Sequence, residues 1–456
     1  GIAGSITNYK ISLSLEKKIL ASMHHRGPDD RGKAYFKFKK NLISLFHTRL
    51  SIIDLNERSA QPMTYKYAST VFNGEIYNYL ELRSFLIKKG YKFNTSSDTE
   101  VLLMSYVHWG EEFIKYLNGM WAFSIWDDKK KQLLLSRDRF GEKPLYYYNK
   151  FDNFFFSSET KTLKLFLSTS PKLNQELLEK YLVFGHKYMQ KNHKTFYKDI
   201  YLLEPGNNLI WSNKKIEKKK YWKISIKKNN LSIEDSIEGT KTYLDKSLKI
   251  RLRSDVPIAF YLSGGVDSNY ILGSSLKKLD KMPATFSVID SDKRYNETQN
   301  INRSVKKFKV KNYKLMIDNK VNHLENIKDL TIKHDSPIST ISSYLSYLLA
   351  KKIKKKGLKV TISGVGADEI FSGYYEHNNL NLLDFKNDKV MYSYFNKNWK
   401  NKINKFIRNP YLKSMKGFLN KENFYSHRIV NFDKFQKFLN TIPKDPSIVT
   451  KQKIFC

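Results

Sequence analysis

Ile258-Ala259-Phe260-Tyr261-Leu262 runs without a charge into Ser263-Gly264-Gly265-Val266-Asp267-Ser268, and Asn269 to Lys278 then carries the apolar spacing of a helix. An uncharged run of five residues ending in a Gly-rich bend predicts a strand buried on both faces of a parallel sheet. Paired glycines let the backbone turn sharply and present its N–H groups, and the N-terminus of the following helix adds positive potential at the same point. Such a bend suits the oxygens of a polyphosphate. Ser263 and Ser268 add hydroxyl donors, and Asp267 is a hard oxygen ligand of the type that holds Mg²⁺ beside a nucleotide. The spacing differs from G-x-x-x-x-G-K-[ST], so kinase or GTPase chemistry is not implied.

The rest of the chain divides by pattern. From Gly1 to about Trp211, short alternating or aromatic strands predominate, among them Ala122 to Trp126, Gln132 to Ser136, Leu145 to Tyr148 and Phe154 to Ser157. A helix is predicted from Tyr79 to Lys89, and another starts at the capping box Ser97-Asp98-Thr99-Glu100, with Val101, Leu102 and Tyr106 facing inward. This α+β half covers 1–211. A polar, basic stretch over 212–230 reads as a linker or interface segment. From 231 to 456 helices and strands alternate, with further buried strands expected at Ala284 to Val288 and Val360 to Ile362, which argues for a doubly wound parallel sheet. In such sheets ligands sit beyond the carboxyl ends of the strands. The loop at Ser263 and a second one, Ser363-Gly364-Val365-Gly366-Ala367-Asp368-Glu369, are therefore expected to face one crevice.

Composition narrows the function classes. A chain of 456 residues with 41% hydrophobic residues has room for two or three domains with their own cores. No apolar window is long enough for a membrane span. The start Gly1-Ile2-Ala3-Gly4 is unlike a signal peptide, and a cytoplasmic location is expected. The only cysteine is Cys456, which excludes an internal disulfide framework or a cysteine metal site. A net charge of +37 raises nucleic acid as a partner, but the lysines lie in dispersed runs such as Lys214 to Lys220 and Lys351 to Lys356. We read these as solvated faces that attract anionic substrates, with nucleic acid disfavoured.

The order G-I-A-G at Gly1, H-R-G-P-D-D at His25, R-L-S-I-I-D at Arg49, F-N-G-E-I-Y-N at Phe72, S-D-T-E at Ser97, G-M-W-A-F at Gly119 and R-D-R-F-G-E-K-P-L-Y-Y at Arg137, followed by the two loops above, resembles the glutamine-dependent asparagine synthetases. The resemblance covers roughly Gly1 to Tyr374. It implies an N-terminal-nucleophile αββα sandwich joined to an ATP-pyrophosphatase domain. In the first, a terminal Cys attacks the glutamine side-chain amide with its own amino group as base. Arg49 would pair with the glutamine α-carboxylate, Glu75 and Asp98 with its α-ammonium, and Asn73 with the Gly74 N–H would form the oxyanion hole. Taken alone, Arg49 or Asp98 is better read as a surface salt bridge or helix cap, and Asp98, inside the capping box, can contribute a cap alongside substrate binding. Family members carry the Cys directly before G-I-A-G, and a Met-Cys before Gly1 is the expectation here.

In the second domain the resemblance gives Leu262, Ser263, Gly264, Gly265, Val266, Asp267 and Ser268 to the phosphates of ATP, Val288, Ser363 and Gly364 to its adenosine part, and Asp267 with Asp368 to Mg²⁺. A substrate carboxylate would attack the α-phosphorus, pyrophosphate would leave, and ammonia would displace AMP. That ammonia is expected to cross a water-poor passage between domains, with Met120 on its wall. Two departures stand out. Val365 replaces a Glu common in the family, and the later family region is not recognisable after Tyr374. The implied reaction converts aspartate and glutamine to asparagine and glutamate. Amidation of another carboxylate, such as a sugar uronic acid, stays open, as do a tRNA-modifying pyrophosphatase, a catalytically degenerate scaffold, and assembly as a homodimer.

Overall fold

Residues buried alternately on two faces build the first half of the chain. The computed structural model describes residues 1–184, 193–226, 230–293, 295–317, 321–338, 340–419 and 436–438. Its first strands are β1 (Ile2–Thr7), β2 (Asp30–Phe38), β3 (Asn41–Arg49), β4 (Met63–Tyr65), β5 (Ala68–Ile76) and β6 (Gly119–Asp127). They are followed by β7 (Gln132–Arg137), β8 (Tyr146–Lys150), β9 (Asn153–Ser157), β10 (Tyr201–Leu202), β11 (Asn207–Ser212) and β12 (Lys215–Lys220). These form two antiparallel six-stranded sheets, ordered β10-β8-β9-β1-β3-β2 and β12-β11-β7-β6-β5-β4.

The period of two sorts each strand between layers. Ile2, Ile6, Ile43 and Leu45 of the first sheet meet Val71, Ala122, Trp126 and Leu133 of the second in a shared core. Their sequence neighbours turn outward, where Ala3, Phe46 and Phe155 pack on α1 (Leu13–Met23) and α4 (Thr160–Lys164). Phe72, Trp121 and Phe123 likewise pack on α2 (Tyr79–Lys88) and α3 (Asp98–Trp109). The result is the expected αββα sandwich. Ser97 caps α3 as predicted, its Oγ accepting from the Glu100 N–H at 3.2 Å. The Glu100 carboxylate, however, accepts from the Asn94 and Thr95 N–H groups at 2.9 and 2.7 Å and so ties down the preceding loop.

The stretch read as a linker over 212–230 needs a correction. Lys215–Lys220 is strand β12, paired along its length with β11. Four lysines and a glutamate give no apolar alternation because this is a sheet edge, where exposed charge also deters pairing with other chains.

Helix α5 (Gln175–Phe184) follows the sandwich strands β1–β9 in the chain, and α6 (Ile233–Arg251) opens the second half behind a Ser232 cap. Four parallel strands come next, β13 (Ile258–Tyr261), β14 (Ala284–Asp290), β15 (Lys311–Ile317) and β16 (Val360–Ile362), in the order β15-β14-β13-β16. Helices α7 (Val266–Leu276), α8 (Thr298–Phe308), α9 (His323–His334) and α10 (Ile341–Lys354) connect them. The strand order reverses between β13 and β16, which is where doubly wound sheets hold ligands. No helix among the described residues is long and apolar enough to cross a membrane.

By contacts the chain forms two compact units. One comprises Gly1–Asn174, Asn192–Gly264 and Leu272–Ile362, and the other comprises Gln175–Lys191, Gly265–Ile271 and Ser363–Cys456. Within the first unit the sandwich and the parallel sheet are bonded directly. Arg253 grips the Glu81 carboxylate with both terminal nitrogens, at 2.6 and 2.5 Å, and Asp255 accepts from the Asp54 N–H at 2.7 Å. Asp335, a left-handed residue ending α9, receives Thr160 Oγ1, Lys164 Nζ and Tyr197 Oη, each at 2.8 Å. In the second unit α11 (Ala367–Phe371), α12 (Tyr375–Asp384), α13 (Lys389–Asn398) and α14 (Met415–Leu419) surround a small core of Leu382, Trp399 and Ile407. Buried Asn379 organises it, accepting from Trp399 Nε1 and donating to the Leu412 carbonyl, both at 3.0 Å.

Candidate functional site

Residues 43 and 45 of β3 and residue 71 of β5 lie in the core between the sheets, so His47, Arg49, Asn73 and Glu75 share those facing surfaces. They meet in a cavity of about 340 Å³, also lined by Gly1, Arg26, Gly74, Asp98, Met120 and Lys143. All five residues expected to bind glutamine are therefore brought together. Met120, expected along a passage, lines this pocket. The Arg49 guanidinium donates to the Asn56 carbonyl at 2.9 Å and to the Asp54 carbonyl, which braces the fork. Gly74 is required by close approach. A Cβ there would come 2.1 Å from the Met120 carbonyl oxygen and 2.8 Å from Trp121 Cα.

Among the described residues, four polar atoms of the cavity lining are shut off from solvent without a hydrogen-bond partner, Arg26 Nε, His47 Nδ1 and, as a donor–acceptor pair, Asn73 Nδ2 and Glu75 Oε2. Leaving a buried donor or acceptor unsatisfied costs about 1–3 kcal/mol, so the pair fits a ligand that brings the missing acceptor and donor. Burial pushes the Glu75 carboxyl well above the usual range, and the nearby Asp98 charge pushes it further. Burial likewise raises Asp98, although its Oδ2 accepts from the Ile76 N–H at 2.9 Å. Two crowded carboxyls of this kind are poised for a cation.

A pH dependence follows. Glu75 holds its proton more tightly in the folded than in the unfolded chain, so its contribution to stability is complete below the usual carboxylate pKa and is lost as pH rises through the raised value. Urea midpoints of the unliganded protein, relative to those of Glu75→Gln, are expected to fall from mildly acidic to neutral pH. A difference that instead widens in favour of the wild type would contradict a raised Glu75.

The landmark around Arg137 proves structural. Its guanidinium donates to the carbonyls of Lys143, Leu203 and Gly141 at 2.7–2.8 Å, and the Asp138 carboxylate accepts from the N–H groups of Phe140, Glu142 and Lys143. This locked loop delivers Lys143 to the pocket. The H-R-G-P-D-D motif delivers Arg26, which meets Glu159 at 3.2 Å. Burial alone would raise the Glu159 carboxyl, but the His25 hydrogen bond and the Arg26 charge outweigh it and hold it at about 2.

A second candidate region lies at the end of β13. Leu262 is 2% exposed, and its N–H donates to the Phe286 carbonyl at 2.8 Å. Leu262, Ser263 and Val288 line a cavity of about 690 Å³ whose walls are chiefly apolar, including Phe286, Ile317 and Tyr344. Sequence reasoning did not single out Glu297, which lines it too and accepts from the Gly264 N–H at 2.9 Å. A Cβ on Gly264 would lie 2.8 Å from Asn300 Cβ.

In the second unit, Gly265 precedes α7, whose first residues are Val266, Asp267 and Ser268. The loop after β16 packs on them, since a Cβ on Gly364 would lie 2.9 Å from both Asp267 Cβ and Ser268 N. Ser363 and Asp368 are half-buried nearby in sequence, and Asp368 packs on Gly373. Among the described residues no cluster of three His, Cys, Asp or Glu side chains is arranged to hold a metal. Mg²⁺ is commonly held by one or two carboxylates plus phosphate oxygens, a donor set that Asp267 and Asp368 fit. The apolar cavity of the first unit fits the base of a nucleotide.

Comparison with known proteins agrees with both halves. The family profile described as Glutamine amidotransferase domain matches residues 1–222, and the one described as Asparagine synthase matches residues 239–441, which corrects the limit at Tyr374 expected from the motifs. A Methanocaldococcus jannaschii protein assigned as asparagine synthetase [glutamine-hydrolyzing] 2 is 36% identical over 84% of this chain and 77% of its own length. The chain belongs to the glutamine-hydrolysing asparagine synthetase family. Its members are carbon–nitrogen ligases that take nitrogen from glutamine and use ATP. Asparagine synthetase [glutamine-hydrolyzing] 1 of Bacillus subtilis is 34% identical over 79% of this chain and 56% of its own length. An amidase of Gibberella zeae is 31% identical over 77% of this chain and 54% of its own length. The chain thus spans little more than half the length of these last two family relatives.

Proposed function

We propose that the chain is an amidotransferase that draws nitrogen from glutamine in the sandwich and uses it to amidate a carboxylate activated by ATP at the parallel sheet. The observation that carries the first half is the pair of buried, unpartnered atoms Asn73 Nδ2 and Glu75 Oε2 beside Arg49. Arg49 takes the glutamine α-carboxylate, Glu75 and Asp98 take its α-ammonium, and Asn73 with the Gly74 N–H takes the oxyanion. The reaction needs a nucleophile, and Gly1 lies on the pocket wall with its nitrogen 2.7 Å from the Thr48 carbonyl. A cysteine joined to that nitrogen starts from the pocket. Sequence supports domain limits of 1–211 and 231–456, with the sheet edge of the first reaching Lys220.

In the second half, Ser263 to Ser268 hold the phosphates, Val288, Ser363 and Gly364 the adenosine part, and Asp267 with Asp368 the Mg²⁺. When bound, magnesium ATP supplies the leaving pyrophosphate and the charge neutralisation that lets a carboxylate become an acyl group. Aspartate is the leading acceptor. Val365 favours keeping a second reading, another carboxylate such as a uronic acid, because it puts an apolar side chain, 87% exposed, at the loop after β16. A protein with Cys joined to Gly1 is expected to hydrolyse glutamine and, given ATP and a panel of carboxylates, to release pyrophosphate well above background with one acceptor. Absence of glutamine hydrolysis would refute the first half of the reading. Turnover of a uronic acid without aspartate would replace the acceptor.

A further inference from the structure

His47 lies two residues before Arg49 on β3, is 3% exposed, and lines the same cavity as Arg49, Asn73 and Glu75. Its Nε2 is 3.2 Å from the Phe72 carbonyl oxygen. A carbonyl can only accept, so Nε2 carries the hydrogen and Nδ1 is left as a lone-pair acceptor. That Nδ1 is buried and has no partner among the described residues. Burial, reinforced by the Gly1 ammonium and then by the Arg49 charge, outweighs the Phe72 carbonyl and holds the ring well below the usual imidazole range, so it is neutral and Nδ1 stays an acceptor at ordinary pH.

The cavity therefore holds an unpartnered donor, Asn73 Nδ2, and an unpartnered acceptor, His47 Nδ1, with the His47 ring bonded to the residue just before Asn73. A primary carboxamide presents the complement of that pair, an acceptor oxygen and a donor NH₂ on one carbon. A carboxylate presents two acceptors. We propose that His47 is a specificity-determining residue that accepts a hydrogen bond from the glutamine carboxamide N–H and rejects the carboxylate of glutamate. The proposal rests on the glutamine reading of this pocket. It also gives the site a reason to release its product, because hydrolysis exchanges the donor NH₂ for an acceptor oxygen facing the same lone pair.

The test is the ratio of glutamate to glutamine dissociation constants, measured by calorimetry on the chain as it stands. The wild type is expected to favour glutamine, His47→Leu to lose at least about tenfold of that preference, and His47→Asn, whose Oδ1 can occupy the Nδ1 position, to recover most of it. Arg49→Ala should weaken both ligands and leave the ratio alone. An unchanged ratio in His47→Leu overturns the role of His47 while leaving the pocket reading intact. Failure of the wild type to bind either ligand overturns both. Should His47→Leu not fold, ¹⁵N spectra of the wild type decide the matter. The Nδ1 resonance should move upfield with glutamine and not with glutamate, and an equal response to both overturns the proposal.

Discussion

Replacing Asp267 with Asn is expected to lower ATP-dependent pyrophosphate release by on the order of a hundredfold or more, equivalent to about 3 kcal/mol of transition-state stabilisation. Asp267 sits in the first turn of α7, with Gly364 packed on its Cβ. Asn keeps that shape and the turn geometry but removes the negative charge that, in the proposed reading, would hold Mg²⁺ against the phosphates. Ammonia as nitrogen donor isolates this half of the reaction, since it bypasses the sandwich. The urea midpoint should stay near that of the wild type because Asp267 is only half-buried. Pyrophosphate release at the wild-type rate would remove Asp267 from the metal set and weaken the placement of ATP at this turn.

In a protein with Cys joined to Gly1, Asn73→Ala should cut glutamine hydrolysis by about 10²–10³, the usual loss when one oxyanion donor is removed. Ammonia-dependent turnover should be retained. Because Asn73 Nδ2 has no partner among the described residues, its removal breaks none of their hydrogen bonds, and unliganded stability is expected to hold or rise. That combination separates a substrate-facing donor from a structural one. Equal loss of both nitrogen sources, or a large drop in stability, would argue that Asn73 supports the sheet.

What could be read from the chain is what depends on near neighbours. The strand, turn and helix around Ser263 are contiguous, so their apolar run, paired glycines and helical spacing can be seen in sequence, and β13 and α7 lie where expected. Ser97 was legible as a cap for the same reason. His47 was not. Its significance depends on β3 and β5 facing one another from different sheets and on a bond to the Phe72 carbonyl. Its only local signal is its place two residues from Arg49, on the same side of a strand. Glu297 escaped notice because it approaches Gly264 from 33 residues away. Strand β12 was hidden by its lysines, since an edge exposed on both faces need not alternate.

Asp335 gathers three side chains of the sandwich, while Arg253 and Asp255 reach back to Glu81 and Asp54. The two halves are thus poor candidates for independent parts. Cutting the chain between them would leave Lys164 and Glu81 on one fragment, and Asp335 and Arg253 on the other, facing water where each now has an opposite charge. Swapping in the sandwich of a relative would bring the same mismatch unless these four positions travelled with it. Any exchange of acceptor specificity by domain grafting must therefore carry its seam along.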